Sequence, residues 1–219
     1  SMTTQPPHPG PIPHGGRLRE AAREWGRPEA DWLDLSTGIH PLGWPVPPLP
    51  AACWQRLPEP DDGLEAAAAA YYGTDRLLPV AGSQAAIQTL PGLRPPGRVG
   101  VLAPTYAEHP AAWAAAGHEV VPLAAEGVLA AAADLDVLVL VHPNNPTGHR
   151  FPPRALAACH RDLARRGGWL VVDEAFMDPT PEQGLAPQAG AEGLVVLRSL
   201  GKFFGLAGAL VGFVAAGPE

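Results

Sequence analysis

The sequence has few cysteines, no run of basic residues and no long apolar stretch, and each shortage excludes a class of protein. Cys53 and Cys159 lie far apart and in no CxxC or histidine-spaced pattern, so the sequence predicts neither a disulfide framework nor a metal site. We therefore expect a reducing, cytoplasmic setting. No apolar run approaches the length of a membrane span, and the N-terminus does not have the basic-then-apolar order of a signal peptide.

The charge balance is acidic, with 22 Asp and Glu residues against 15 Lys and Arg residues and a formal net charge of −7. Nucleic acids and anionic membranes attract clustered basic side chains, and this sequence has no such cluster. We expect small molecules and other protein surfaces as partners, and neither nucleic acid nor membrane.

Short apolar runs alternate with alanine-rich segments from Leu77 onward. The seven strand candidates are LLPVAG, VGVLAP, EVVPLA, DVLVLVHP, GWLVVDEA, GLVVLRSL and ALVGFVAA. Because these runs show no polar alternation, they are typical of strands buried on both faces of a sheet. The segments SQAAIQTL, AEHPAAWAAAG and PPRALAACHRDLARRG predict helices between them. The pattern predicts a three-layer α/β/α fold with a mainly parallel seven-stranded sheet.

The chain before Leu77 does not show this alternation of apolar runs and alanine-rich segments. HGGRLREAAREWG predicts a short helix, WLDLSTGIHPLG a strand-like run that ends in a turn, and GLEAAAAAYYG a helix capped by Asp61 or Asp62.

Polar residues follow the predicted strands, where ligands bind in open α/β sheets. They are Gly82, Ser83, Gln84, Tyr106, Asn145, Asp173, Ser199 and Lys202. Taken singly, each is more often structural: a Gly-Ser pair caps a helix, NNPTG forms a turn, and a lone lysine extends its amine into water. Together they offer an amine, an acid, an amide, an aromatic ring and a phosphate cradle at one sheet edge, which are the groups that pyridoxal phosphate needs. The competing α/β sites are not indicated, because GxGxxG, a Walker lysine and GxSxG do not occur.

With these residues assembled, the chain resembles the fold-type I pyridoxal-phosphate enzymes of the aspartate aminotransferase superfamily. The segments that carry the resemblance are PHGGRLREAA, WLDLSTGIHPLGWP, RLPEPDDGLEAAAAAYYG, PVAGSQAAIQ, APTYAEH, HPNNPTG, VVDEAF and SLGKFFGLAG. NPTG and SxxK identify the superfamily. HGGRL and LDLSTGI narrow it to the branch of histidinol-phosphate aminotransferases and threonine-phosphate decarboxylases of cobalamin biosynthesis, the latter being more similar.

The resemblance implies a role for each residue at the sheet edge. Lys202 would form the Schiff base with the cofactor, and Asp173 would pair with its pyridine nitrogen. Asn145 would bond the phenolic oxygen and Tyr106 would stack on the ring. The phosphate would be held by Gly82, Ser83, Gln84 and Ser199.

The resemblance also implies a substrate site and a division of the chain. His14, Gly15, Gly16 and Arg17 would bind the phosphate of L-threonine O-3-phosphate, and Ile39 its backbone. We expect a flexible leader at residues 1–13 that begins with a cloning remnant, an arm and small-domain segment at 14–60, and the cofactor-binding domain at 61–219. The implied assembly is a homodimer.

Departures from the family pattern leave three functions open. Leu210 stands where the superfamily has an arginine for the cofactor phosphate, Phe176 replaces a common tyrosine, and His40 a common asparagine. The C-terminal small domain, with its arginine for the substrate carboxylate, does not follow Val214, so we expect a poor catalyst. Besides decarboxylation of threonine phosphate, the alternatives are a histidinol-phosphate type aminotransferase and a non-catalytic cofactor-binding protein.

Overall fold

A computed structural model describes residues 10–218, so most of the predicted 1–13 leader, together with Glu219, lies outside the described residues. The chain divides into two compact units, residues 1–38 and residues 39–219. In the described part of the first unit, α1 (Leu18–Trp25) is followed by a 3-10 turn (Glu29–Asp31). The predicted first helix is therefore present, and it ends at Gly26 in the left-handed conformation. None of the helices among residues 10–218 is long and apolar enough to cross a membrane.

The strand-like run predicted at WLDLSTGIHPLG was wrong, since residues 32–43 contain no strand. Its side chains Leu33, Leu35 and Leu42 are exposed. Alternating apolar residues favour a strand only where a neighbouring backbone completes the ladder, and this segment has no ladder partner in the described residues.

The second unit contains the remaining elements. The strands are β1 (Leu77–Val80), β2 (Arg98–Leu102), β3 (Glu119–Leu123), β4 (Val137–Val141), β5 (Trp169–Asp173), β6 (Leu194–Ser199) and β7 (Gly212–Ala216). The helices are α2 (Ala52–Gln55), α3 (Leu64–Tyr72), α4 (Ser83–Thr89), α5 (Glu108–Ala115), α6 (Val128–Ala131) and α7 (Pro153–Arg165). The predicted cap of α3 by Asp61 or Asp62 was wrong, because Gly63 is the N-cap residue, although the Asp62 carboxylate accepts the N–H of Leu64 at 2.9 Å.

The seven strands form one sheet in the order β1-β7-β6-β5-β4-β2-β3. All neighbouring strands are parallel except β7, which runs antiparallel to β1 and β6. Each predicted apolar run overlaps one strand, and the predicted mainly parallel seven-stranded sheet is confirmed. The expected burial on both faces is complete in β4 and nearly so in β2, β5 and β6, but it was wrong for β1 and β3, which lie at the two edges of the sheet and are partly exposed.

Two apolar cores cover the sheet, one on each face. Helices α3 and α7 contribute to the first core through Ala68, Leu156 and Leu163. Helices α4 and α5 contribute to the second through Ile87 and Trp113. The predicted arrangement of helix, sheet and helix layers is thus confirmed.

Two adjacent acids at the end of β5 point to opposite faces of the sheet. Val171 packs in the core beside α4 and α5, and Val172 packs in the core beside α3 and α7. Because side chains alternate along a strand, Asp173 follows Val171 to one face and Glu174 follows Val172 to the other. Their separate partners agree with this division.

Glu174 belongs to a buried charge network on the α3 face. The guanidinium of Arg198 contacts Glu174 Oε1 at 3.3 Å and Asp178 Oδ1 at 2.9 Å, and it lies 4.6 Å from the ring centre of Tyr72. The backbone N–H of Leu185 donates to Glu174 Oε2 at 2.8 Å. Burial raises the pKa of Glu174 to about 7, although Arg198 opposes this shift. One cation therefore compensates two buried acids.

Replacing Arg198 with methionine is expected to lower the free energy of unfolding by about 3–5 kcal/mol, because two buried carboxyls then lack their cation. Glu174→Gln should cost less, since the Glu174 carboxyl already takes up a proton near neutral pH and glutamine keeps an acceptor for Leu185. Urea unfolding at pH 7 measures both. Arg19→Met is the matched control, since its side chain is 87% exposed. An Arg198→Met cost no larger than that of the control would contradict a stabilising network.

Candidate active site

One pocket of the second unit lies where several strands end. It is lined by Ser83, Tyr106, Val141, Asn145, Asp173, Ala175, Phe176, Ser199 and Lys202. Six of these are predicted site residues, and they lie at the ends of different strands or in the segments that follow them. Among residues 10–218, no group of three or more His, Cys, Asp and Glu side chains is arranged to hold a metal ion.

Asp173 is the acid of the pocket, and it is 4% exposed. Its Oδ2 hydrogen-bonds to Nε2 of the buried His109 at 2.8 Å, and its Oδ1 accepts the N–H of Ala175 at 3.1 Å. Which of the two groups donates in this bond depends on the tautomer of His109. The prediction of site residues missed His109, which lies on α5 and meets Asp173 only in the folded chain.

Lys202 lies in the loop after β6 and is half-buried. It is the only lysine of the 219 residues, so every other basic residue is an arginine or a histidine. This composition is a sequence signal that our prediction did not use. Beside it, Ser199 Oγ accepts the N–H of Gly201 at 3.0 Å, which shapes the turn into the Lys202 loop.

The start of α4 packs closely against β7. Gly82 has a φ of +76°, and a Cβ on Gly212 would lie 2.6 Å from the backbone nitrogen of Ser83. Only glycine at position 212 permits this approach, which brings Ser83 next to the end of β6. Leu210 lies beside the same corner with a φ of 51°, and its side chain is 65% exposed.

Two polar or aromatic side chains line the pocket between β2 and β4. Tyr106 follows β2, is half-buried, and meets the His109 ring edge-on at 6.1 Å between centres. Desolvation raises the pKa of the Tyr106 phenol, with Glu108 adding to the shift. Asn145 follows β4, and Phe176, the departure from the family pattern, also contributes to the lining.

Other predicted residues lie elsewhere. Gln84 is exposed, and its amide donates to Glu108 Oε2 at 3.1 Å. Ile39 is half-buried in the second unit. His14, Gly15, Gly16 and Arg17 line a pocket of the first unit, together with residues from Trp32 to Ser36. There the N–H of Gly16 donates to Ser36 Oγ at 2.8 Å.

The family model of aminotransferase class I and II matches residues 55–219. The chain belongs to this family. The threonine-phosphate decarboxylase of Pseudomonas aeruginosa is 61% identical over 202 residues, which cover 92% of this chain and 61% of the relative. That of a Sinorhizobium species is 45% identical over 212 residues, covering 94% of this chain and 63% of the relative. The chain thus spans about three fifths of the length of these curated relatives.

A solved structure has the same fold as this class I and II aminotransferase chain. The histidinol-phosphate aminotransferase of Sinorhizobium meliloti, in complex with pyridoxal-5'-phosphate, aligns with a TM-score of 0.74 and 20% identity. The alignment covers 100% of this chain and 64% of that one. At this identity the likeness shows the fold alone.

The segment from His40 to Trp44 holds the Lys202 loop of this family member in place. The N–H of His40 donates to the Lys202 carbonyl at 2.9 Å, and the N–H of Trp44 donates to the Phe204 carbonyl at 2.6 Å. Gly43 and Gly205 meet where the two backbones cross, with Gly205 at a φ of +67°. The departure His40 is thus part of a structural clamp, and its Nδ1 accepts the N–H groups of Leu42 and Gly43 at 3.1 and 3.2 Å.

Gly205→Ala is expected to open this clamp. The added Cβ would lie 2.6 Å from Gly43 Cα and 2.8 Å from the His40 carbonyl oxygen, at a left-handed φ that itself costs about 1–2 kcal/mol. We expect a loss of unfolding free energy above about 2 kcal/mol in urea titrations. Gly208→Ala is the matched control, because its Cβ would meet nothing within 4 Å. Equal stability of the two variants would show that the clamp does not constrain the loop.

Proposed function

We propose that this chain binds pyridoxal phosphate in the strand-end pocket, and that the whole protein decarboxylates L-threonine O-3-phosphate. The observation that supports the cofactor proposal is the composition of one pocket: Lys202, Asp173, Asn145, Tyr106 and two serines line it together. Membership of the aminotransferase class I and II family agrees with this cofactor. The decarboxylase activity rests on the names of the two curated relatives.

The donor set fits the cofactor. A buried carboxylate is stabilised by a cationic partner, and Asp173 faces the pocket, where it is hydrogen-bonded to His109 and to the N–H of Ala175. A protonated pyridine nitrogen would supply that cation. The hydroxyls of Ser83 and Ser199, with the first N–H groups of α4, suit a phosphate.

When bound, pyridoxal phosphate withdraws electrons from the Cα of an amino acid. The chain's own residues would support this in distinct ways. The amine of Lys202 would bind the cofactor aldehyde covalently and would carry a proton once substrate replaces it. Asp173 would hold the proton on the pyridine nitrogen, with His109 Nε2 hydrogen-bonded to that carboxylate. Tyr106 would cover the ring and Asn145 would donate to the phenolic oxygen.

For the substrate, we propose that the pocket of residues 14–17 binds the phosphate group. Arg17 pairs there with Glu20 at 3.2 Å, an exposed ion pair that an incoming phosphate can replace. Ile39 would contact the substrate backbone. In decarboxylation the bond from Cα to the carboxylate would break with its electron pair left on Cα, CO₂ would leave, and that pair would bond a proton supplied by the Lys202 side chain in its ammonium form. Transamination, the second candidate, breaks the Cα–H bond instead, and it is kept because a histidinol-phosphate aminotransferase of Mycobacterium bovis is 36% identical over 204 residues, which cover 85% of this chain.

The cofactor proposal predicts one covalent adduct. After incubation with pyridoxal phosphate and reduction with borohydride, intact mass spectrometry should show one added pyridoxyl phosphate group, and the Lys202→Arg variant should show none. Since Lys202 is the only lysine, the N-terminal amine is the only other amine that can be modified. Lys202→Arg keeps the positive charge, so its loss of the adduct cannot come from a charge effect. An adduct of equal yield in the variant would contradict the proposal.

Analysis of the products formed by the cofactor-loaded protein distinguishes decarboxylation from transamination. Threonine phosphate with the cofactor should give CO₂ and (R)-1-amino-2-propanol O-2-phosphate. Formation of glutamate from 2-oxoglutarate would favour the aminotransferase. Adduct formation with neither product, also with the full-length protein, would favour a non-catalytic cofactor-binding role.

Leu210→Arg is expected to tighten cofactor binding by about tenfold to a hundredfold. Leu210 lies beside Gly82 at the start of α4, and its side chain is 65% exposed, so a guanidinium at this position would not be buried without a partner and would be available to a phosphate bound at Ser83. Hydrogen bonds to charged groups contribute about 1.5–3 kcal/mol, and 1.4 kcal/mol is tenfold in affinity. The titration uses the absorbance of the bound cofactor. Leu78→Arg, at a side chain that is 62% exposed on β1, controls for added charge and should leave the affinity unchanged. Equal gains in both variants would argue against phosphate contact at position 210.

A further inference from the structure

Asn144 joins two loops of the candidate active site. It is 5% exposed and follows β4, which pairs in parallel with β2. Its Oδ1 accepts the hydroxyl of Thr105 at 2.8 Å, and its Nδ2 donates to the Pro104 carbonyl at 2.8 Å and to Thr147 Oγ1 at 2.9 Å. The two loops are otherwise separated by 39 residues of sequence.

The chemistry of these partners requires an amide at position 144. The carbonyl of Pro104 can only accept, so Nδ2 must face it and Oδ1 must face the Thr105 hydroxyl. An aspartate would oppose the Pro104 carbonyl with a second acceptor, and an aliphatic residue would leave buried polar groups without partners, which costs about 1–3 kcal/mol per group. Asparagine is therefore selected by its contacts and not by turn formation alone.

The backbone of Asn144 is also hydrogen-bonded within its own turn. Its carbonyl accepts the N–H of Gly148 at 2.7 Å, and its N–H donates to the His149 carbonyl at 3.0 Å. These two backbone hydrogen bonds hold the turn in one conformation. The side chain of Asn144 then ties this turn to the backbone of Pro104 and the hydroxyl of Thr105.

Each joined loop carries one pocket residue next to the contact. Tyr106 follows Thr105, and Asn145 follows Asn144, and both line the pocket. We propose that Asn144 is a positioning residue that fixes the Tyr106 ring relative to the Asn145 amide. It acts through these two neighbours and does not itself line the pocket. The inference rests on the proposed function, in which Tyr106 covers the cofactor ring and Asn145 bonds its phenolic oxygen.

The first measurement needs no cofactor. Hydrogen–deuterium exchange of cofactor-free protein should become at least tenfold faster in both loops of Asn144→Ala, that is, at residues 105–107 and 144–149, with α7 unchanged as an internal reference. Thr105→Val, which removes one of the three side-chain bonds and keeps the side-chain shape, should give the same pattern to a smaller degree and provides a second variant if Asn144→Ala does not fold. Faster exchange confined to residues 144–149 in either variant would overturn the coupling.

The second measurement is a mutant cycle that compares the cofactor affinity of Asn144→Ala in two backgrounds. Asn144→Ala should weaken pyridoxal phosphate binding about tenfold in the wild-type background. It should weaken it less than twofold in a Tyr106→Ala/Asn145→Ala background, because the residues through which Asn144 acts are then gone. A merely structural role would give the same weakening in both backgrounds and would overturn the inference. If wild-type protein binds no cofactor, the proposed function fails, while the exchange experiment still decides whether Asn144 couples the loops.

Discussion

The register of β5 between β4 and β6 is the constraint on which the rest of the site depends. Asp173 lies opposite Val141 on one side and Leu197 on the other, at the last paired position of β5. Because side chains alternate with a period of two, a shift of one residue would exchange the faces of Asp173 and Glu174. The apolar residues of the same strand oppose that shift, since each would be moved out of the apolar core in which it now packs. Burial of the strand thus determines which acid reaches the pocket.

The neighbouring strand β6 divides its polar residues in the same way. Arg198 turns to the α3 face, where it compensates Glu174 and Asp178, whereas Ser199 turns to the pocket. The sheet therefore separates two sets of polar groups that are adjacent in sequence. One set is closed on itself and contributes stability. The other set lines a pocket, where His109 hydrogen-bonds to Asp173 and the N–H of Gly201 donates to Ser199.

Much of this arrangement could be predicted from local sequence. Seven apolar runs gave the seven strands, and the parallel sheet placed the residues after them at a common edge. What could not be predicted depends on contacts between distant residues. His109 meets Asp173 across 64 residues, and nothing in the pattern around His109 indicates that partner. The segment from Trp32 to Gly43 failed for the opposite reason: its local alternation favours a strand, but the described fold offers no ladder to complete it.

The composition of the chain bears on the interpretation of Lys202 more directly than its neighbours do. Positive charge in this protein is carried by arginine everywhere except at position 202 and at histidines. A role in charge pairing or solubility would be served by either residue, and the buried network around Arg198 shows that arginine is the cation used for pairing. A guanidinium stays protonated and is a poor nucleophile, whereas an ammonium can lose its proton and form a covalent bond. The single lysine lies in a clamped loop, in the same pocket as a buried acid. Position 202 thus differs from the other cationic positions of the chain by offering an amine in place of a guanidinium, which is the property that the proposed function uses.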